Sequence, residues 1–207
     1  MAHPTRSIQA YALLDMLADM PFKSNLITWD IGLGEWETGF RCIKKGIEDK
    51  GDWHIILQDD AIISRNLYTN VVNAIQNIPS KGILSLYTGQ VKPHRGSIQM
   101  AHNRASSLGA SYLSSNALYW GVCVVMPTLQ LKDIVGALKG RTELYDTRIG
   151  LACNEIGLKV YYTNPSLVNH DDELDSLIGH SVNERRIAHR YEPSVIKNWN
   201  SFSIKIF

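Results

Sequence analysis

Cysteine is scarce: three residues in 207, Cys42, Cys123 and Cys153, at irregular spacings and each in an apolar setting. That number supports no disulfide framework, and the expectation is buried, reduced thiols in a reducing, cytoplasmic compartment. No CxxC or Cys/His spacing of the zinc-finger kind occurs. Charge imbalance is missing too: 21 Lys and Arg face 20 Asp and Glu, a formal +1. A dominant polyelectrolyte role is thereby excluded, although local basic patches remain. No apolar run approaches a membrane span, and the first residues lack the apolar stretch of a signal peptide. Repeats and low-complexity linkers are absent. What remains, at 44% hydrophobic residues, is enough for one ordinary core.

The most hydrophobic short run is Trp53-His54-Ile55-Ile56-Leu57-Gln58, followed directly by Asp59-Asp60. The run reads as a buried strand. Two like charges at its exit repel each other and resist desolvation, unless water or a divalent cation compensates them. Ligands of open α/β sheets bind at the carboxyl ends of strands. A metal or phosphate site is therefore expected near residue 60.

Around this strand the pattern alternates. Ser7 to Met20 has a helical face at Ile8, Tyr11, Leu14, Leu17 and Ala18. Leu26, Ile27 and Trp29 predict a short strand over 25–29 with Asp30 at its exit. A glycine loop at 32–35 leads to a helix over 36–48. A further helix turns Leu67, Val71, Ile75 and Ile78 inward, and Ile83 to Tyr87 make the next strand. Residues 88–115 show no period and read as a long functional loop. A strand is expected within 119–126, helices over 127–138 and from Asp146, and a strand at 160–162. The expected fold is α/β, with a mixed, mainly parallel sheet flanked by helices. One domain spans 1–183, and a basic, aromatic tail over 184–207 packs on it or extends it.

Gly39-Phe40-Arg41-Cys42-Ile43-Lys44-Lys45-Gly46, with the run from Trp53 through Asp60-Ala61, resembles the core of GT-A nucleotide-sugar glycosyltransferases. Tyr119-Trp120-Gly121-Val122 resembles the strand flooring their acceptor site. Pro165-Ser166-Leu167-Val168-Asn169-His170 and Ser176-Leu177-Ile178-Gly179-His180 resemble their C-terminal motifs. The likeness covers about residues 25 to 180 and extends to small bacteriophage glycosyltransferases that act on modified pyrimidines of DNA. Two departures stand out. Gln58 occupies the first position of the acidic motif, and only Met1-Ala2 precede His3, where a first strand is expected.

The resemblance implies a metal-dependent transfer from a nucleotide-sugar, a UDP-sugar by preference, with Mn²⁺ or Mg²⁺ bridging the diphosphate. It gives Asp60 and His170 as metal ligands, and Asp59 as a contact to ribose or metal-bound water. His180 would meet the diphosphate. Asp30 is given to the base or ribose, and His3 and Arg6 to the first nucleotide loop. Arg41, with Lys44, would approach the diphosphate or base. Trp120 and Gly121 line the acceptor side, Trp36 offers a further stacking surface, and Asp146 is the general base of an inverting enzyme. Each has a plainer alternative: helix cap for Asp146, solvated charge for the cations, core aromatic for the tryptophans. Cations of the long loop (Lys92, His94, Arg95, His102, Arg104) and tail (Arg185, Arg186, Arg190) would suit duplex DNA carrying hydroxymethylated pyrimidines. A phosphohydrolase or nuclease, and a non-catalytic nucleotide- or glycan-binding module, remain the rival expectations.

Overall fold

The computed structural model describes residues 1–49, 51–90, 95–174 and 185–206. In chain order its elements are α1 (Ser7–Ala18), α2 (Gly34–Glu48), β1 (Trp53–Leu57), β2 (Ala61–Ile63), α3 (Leu67–Gln76) and β3 (Gly82–Ser85). Then come α4 (Arg95–Ser107), β4 (Tyr112–Ser115), β5 (Cys123–Pro127), α5 (Leu131–Ala137) and α6 (Tyr145–Glu155). The last are β6 (Lys159–Thr163), β7 (Val168–His170) and β8 (Ser203–Lys205). Six strands form one sheet in the order β1-β5-β3-β6-β4-β8, while β2 and β7 pair separately.

Alternation along the strands feeds two apolar layers. Ile83, Val124, Met126, Val160 and Tyr162 point to the side of α2, α4, α5 and α6. Their neighbours Leu84, Val125 and Tyr161 point to the side of α1 and α3. The result is an α/β/α sandwich around a sheet buried on both faces. The three cysteines are free and buried in it, and burial pushes the Cys153 thiol up to about 12.

The sheet is mixed, as expected, but not mainly parallel. Only the β3–β6 and β4–β8 ladders are parallel, and β1–β5, β3–β5 and β4–β6 are antiparallel. Helix–strand alternation suggests parallel crossovers, yet α4 returns the chain into an antiparallel β4. Residues 116–122 then cross the sheet without a helix and deliver β5 in the direction of β4, antiparallel to β1 and β3. The carboxyl ends of β1, β3 and β6 still share one edge of the sheet, and Asp59-Asp60 stand there.

Other expectations are corrected locally. Residues 25–29 form no strand; Trp29 makes a single bridge to Ala2, anchored by Ala2 N–H on Thr28 O at 2.9 Å. α1 packs through Ala10, Leu13 and Leu17, leaving Ile8 81% and Tyr11 54% exposed, because its apolar residues surround it rather than forming one stripe. The supposed long loop contains α4 and β4. α4 buries only Ile98, Ala101, His102 and Ala105, and such small anchors among polar residues hide its period. The tail ends in β8, which extends the sheet beside β4.

Candidate functional site

Local sequence sets the entry to the site. Asp30 Oδ1 accepts N–H bonds from Gly32, Leu33 and Gly34 at 2.9–3.0 Å, across a turn in which Gly32 and Gly34 take φ of +85° and +84°. A slight burial penalty opposes the effect, yet the three donors hold the Asp30 carboxyl below its ordinary value. The turn launches α2 and puts Glu35 in its first turn. Arg41 on α2 donates to the Trp29 carbonyl, so its guanidinium ties the 25–30 segment to the helix.

The carboxylate pair lies deep. Asp59 is 8% and Asp60 7% exposed, and the charge compensation expected from outside comes first from within. Arg6, itself 7% exposed, reaches Asp59 Oδ1 at 3.1 Å and Asp60 Oδ2 at 2.5 Å. The His3 backbone N–H donates to Asp59 Oδ2 at 2.6 Å. The His3 imidazole instead meets Thr5 Oγ1 at 2.7 Å, inside its own turn. Burial works against the Arg6 charge, but the two carboxylates outweigh it and raise its proton affinity.

A short ladder brings in His170. β2 and β7 pair Ala61 with His170, and Asp171 N–H donates to the Asp60 carbonyl at 2.8 Å. His170 Nε2 then stands 3.1 Å from Asp60 Oδ2. Nδ1 is 2.9 Å from the Asp171 carbonyl, which anchors the ring with Nε2 turned to the carboxylate. Arg186 Nη1 lies 3.3 Å from the same nitrogen, with Nη2 on Leu174 O at 2.5 Å. Burial alone would raise the Asp60 carboxyl, but the His170 bond and charge, with Arg6, bring it below its ordinary value.

Asp60 Oδ1 is buried without a hydrogen-bond partner. Two groups bound cis to one small divalent cation at about 2.1 Å each stand about 3 Å apart, close to the Asp60–His170 separation. The donor set, one carboxylate and one imidazole with its second nitrogen anchored, fits Mn²⁺ well. Among the described residues no three His, Cys, Asp or Glu side chains gather for a metal. Such an ion would share Asp60 with Arg6 and draw its other ligands from substrate and water. His180 lies outside the described residues.

A further acidic residue, Asp146, lies within electrostatic range of Glu35. Asp146 occupies the first turn of α6, two residues after the N-cap Leu144, and its Oδ1 accepts from the Thr147 N–H at 2.7 Å and from Thr147 Oγ1 at 3.4 Å. The aromatic ring of the preceding residue, Tyr145, is clasped by two glycines. A Cβ on Gly39 would stand 2.2 Å from Tyr145 Cε2, and one on Gly121 2.7 Å from Tyr145 Cε1. The same Cβ on Gly121 would be 3.6 Å from that of Asp146. Gly121 is thus the floor beneath Asp146. Trp120 meets Tyr87 edge-on at 6.2 Å between centroids, and Tyr87 lies 6.5 Å from the His170 ring, giving an aromatic wall from Trp120 to His170. Trp36 stacks on Phe40 at 5.4 Å, under the Arg148 guanidinium at 4.1 Å, which engages it within the chain.

Glu35 escaped the sequence analysis. Its Oε1 accepts from Gln58 Nε2 at 3.0 Å. Burial chiefly, then the charges of Asp146 and Asp60, raise its proton affinity against the opposing Gln58 bond. Gln58 thereby draws a carboxylate from α2 toward the end of β1. The Gly32–Gly34 turn directly before it was the available signal, but only the fold aims Glu35 at Gln58.

The cations ascribed to DNA are largely engaged. His102 is 1% exposed and faces His189 at 4.6 Å between ring centroids. Arg190 bonds Ser106 and approaches Glu192 at 3.4 Å. Arg186 serves His170 and Leu174, whereas Arg104 and Arg185 are exposed. Lys92 and His94 lie outside the described residues. No described helix is long and apolar enough to cross a membrane. In comparison with known proteins, no family model matches the chain and no curated protein matches it.

Proposed function

We propose that the chain is a metal-dependent glycosyltransferase of the GT-A kind, acting from a nucleotide-sugar, a UDP-sugar by preference. The observation that carries this reading is the 3.1 Å approach of His170 Nε2 to Asp60 Oδ2 at the carboxyl end of β1. It joins two motifs that the resemblance pairs as metal ligands, 110 residues apart in sequence. A cation held there by Asp60 and His170 would act as a Lewis acid toward the diphosphate.

The chain's own residues carry the rest. Arg6 and Arg186 stand beside the carboxylate and imidazole, where negative charge grows on the leaving group. Asp146, on the far side of the Gly121 floor, takes the proton of the acceptor hydroxyl. The acceptor oxygen bonds to the anomeric carbon as the bond from that carbon to the phosphate oxygen breaks. The electron pair leaves with the nucleoside diphosphate, and a single displacement inverts the configuration. Asp30 retains Oδ2 for ribose or base, since its backbone bonds use Oδ1.

The acceptor class we propose is a hydroxymethylated pyrimidine of duplex DNA, with Arg104 and Arg185 as the exposed cations nearest to such a role. The proposed setting is the cytoplasm, in keeping with three unpaired thiols. Binding to such DNA should fall steeply with added salt, and no binding at low salt would remove this acceptor.

A thermal-shift panel of nucleoside diphosphates with and without Mn²⁺ tests the class. UDP at 100 times its Kd would stabilise the chain by about 2.7 kcal/mol, and only with the metal. A flat panel, accompanied by phosphodiester cleavage, would favour the phosphohydrolase instead.

A further inference from the structure

The face of β1 that carries Trp53, Ile55 and Leu57 is covered incompletely. All three are half-buried, although every residue of β3 is buried. β1 is an edge strand of the sheet, and the layer above it is built from α1, α3 and residues 21–28. Between that layer and β1, and reaching round this strand to Cys42, Lys45, His54 and Ile56 on its other side, lies a cavity of about 450 Å³. Leu13, Leu17 and Phe22 wall it on one side, Val71 and Ile75 on the other. Leu13, Leu17, Phe22 and Ile75 pack against the core only in part, whereas Val71 belongs to it.

The cavity has a direction. At one end Lys23, Ser24, Asn25 and Leu26 line it and are exposed, and Ser24 Oγ donates to Asp49 at 2.9 Å near the start of β1. At the other end lie Ala2 and Asp59, both buried. Five strand residues span about 17 Å at about 3.3 Å each, close to the length of an extended chain of about twelve carbons. Its volume and largely apolar lining are those of a small-molecule site. Around the opening Lys23 and Lys45 are balanced by Asp49 and Asp52, so the lining selects for a tail and not for a charged head.

We propose that this cavity binds the single aliphatic chain of a small amphiphile, its polar head at the Lys23–Leu26 opening and its methyl end toward Ala2. The chain completes the cover over Trp53, Ile55 and Leu57. This inference does not depend on glycosyl transfer, and its test requires no activity.

The probe is 2-bromododecanoate below its micelle concentration, whose bromine, next to the head, would lie near Trp53 and quench its fluorescence. Saturable quenching is expected in the wild type and its loss in Trp53→Phe. The ring added by Leu17→Phe or by Ile75→Phe should weaken binding by about tenfold, a cost of about 1.4 kcal/mol. Uncharged 1-dodecanol should displace the probe from the wild type. Absence of saturable quenching, or quenching undiminished in Trp53→Phe, would overturn the site. So would unchanged affinity in both filled variants, provided they unfold cooperatively, or failure of dodecanol to compete.

Discussion

His170 faces Asp60 because the β2–β7 ladder sets Ala61 against His170, which brings Nε2 to 3.1 Å from the carboxylate. Strand register, not sequence proximity, makes this pair. A slip of one residue would turn the imidazole to the other face of the ladder.

Ligand binding and chemistry should separate by residue. Asp60→Asn is expected to abolish the metal-dependent stabilisation by UDP in a thermal-shift assay. Asp146→Asn should leave that stabilisation intact and lower turnover by about 10²- to 10⁴-fold, the worth of a general base. Equal loss of UDP affinity in both variants would show that the two carboxylates are misassigned.

Arg6 should matter for folding as well as for the site. Arg6→Met removes the buried partner of both carboxylates, and a broken buried pair costs about 3–5 kcal/mol. Urea unfolding at neutral pH measures the loss. A variant as stable as the wild type would mean that water reaches the pair freely.

Two glycines of helices offer a matched comparison. Gly39→Ala places a methyl group against the Tyr145 ring, so a loss of about 1–3 kcal/mol is expected together with displaced Asp146 and slower turnover. Gly136→Ala in α5 meets nothing within 4 Å and should gain up to about 1 kcal/mol from helix propensity. Circular-dichroism melts of both variants decide the matter, and equal effects would refute the clasp on Tyr145.

Acid should weaken the fold through His102. Burial first, then the neighbouring charges of His189 and Arg190, lowers the imidazole to about 4 against the Asn164 bond, from an ordinary value of 6.5. The folded value lies below the unfolded one. Between about 4 and 6.5 the unfolded chain therefore binds more protons, and stability rises with pH. Lowering the pH from 7 to 5 should cost the wild type about 2 kcal/mol through this group. His102→Gln should flatten that part of the profile in denaturant titrations.

Much of the site was written in the chain, and its limits have physical causes. The acidic pair could be placed at a strand exit because a buried apolar run and adjacent like charges constrain each other. The α/β class followed from alternation of helical and extended patterns. Strand direction did not, because a helix between two strands can return the chain either way. β2 and β7 were invisible: three residues each leave no periodicity, yet they decide where His170 points. Arg6 was placed near the nucleotide, but its bond to both aspartates crosses more than fifty residues. Glu35 depended on the rotamer of Gln58, which no local pattern encodes.

The depth at which Cys123 and Cys153 sit gives the molecule a built-in clock. Both are fully buried, and burial raises their thiols far from the reactive thiolate form. An alkylating reagent reaches them only when the sheet and its helices part, so the labelling rate counts openings of the core in a chain that needs no added probe.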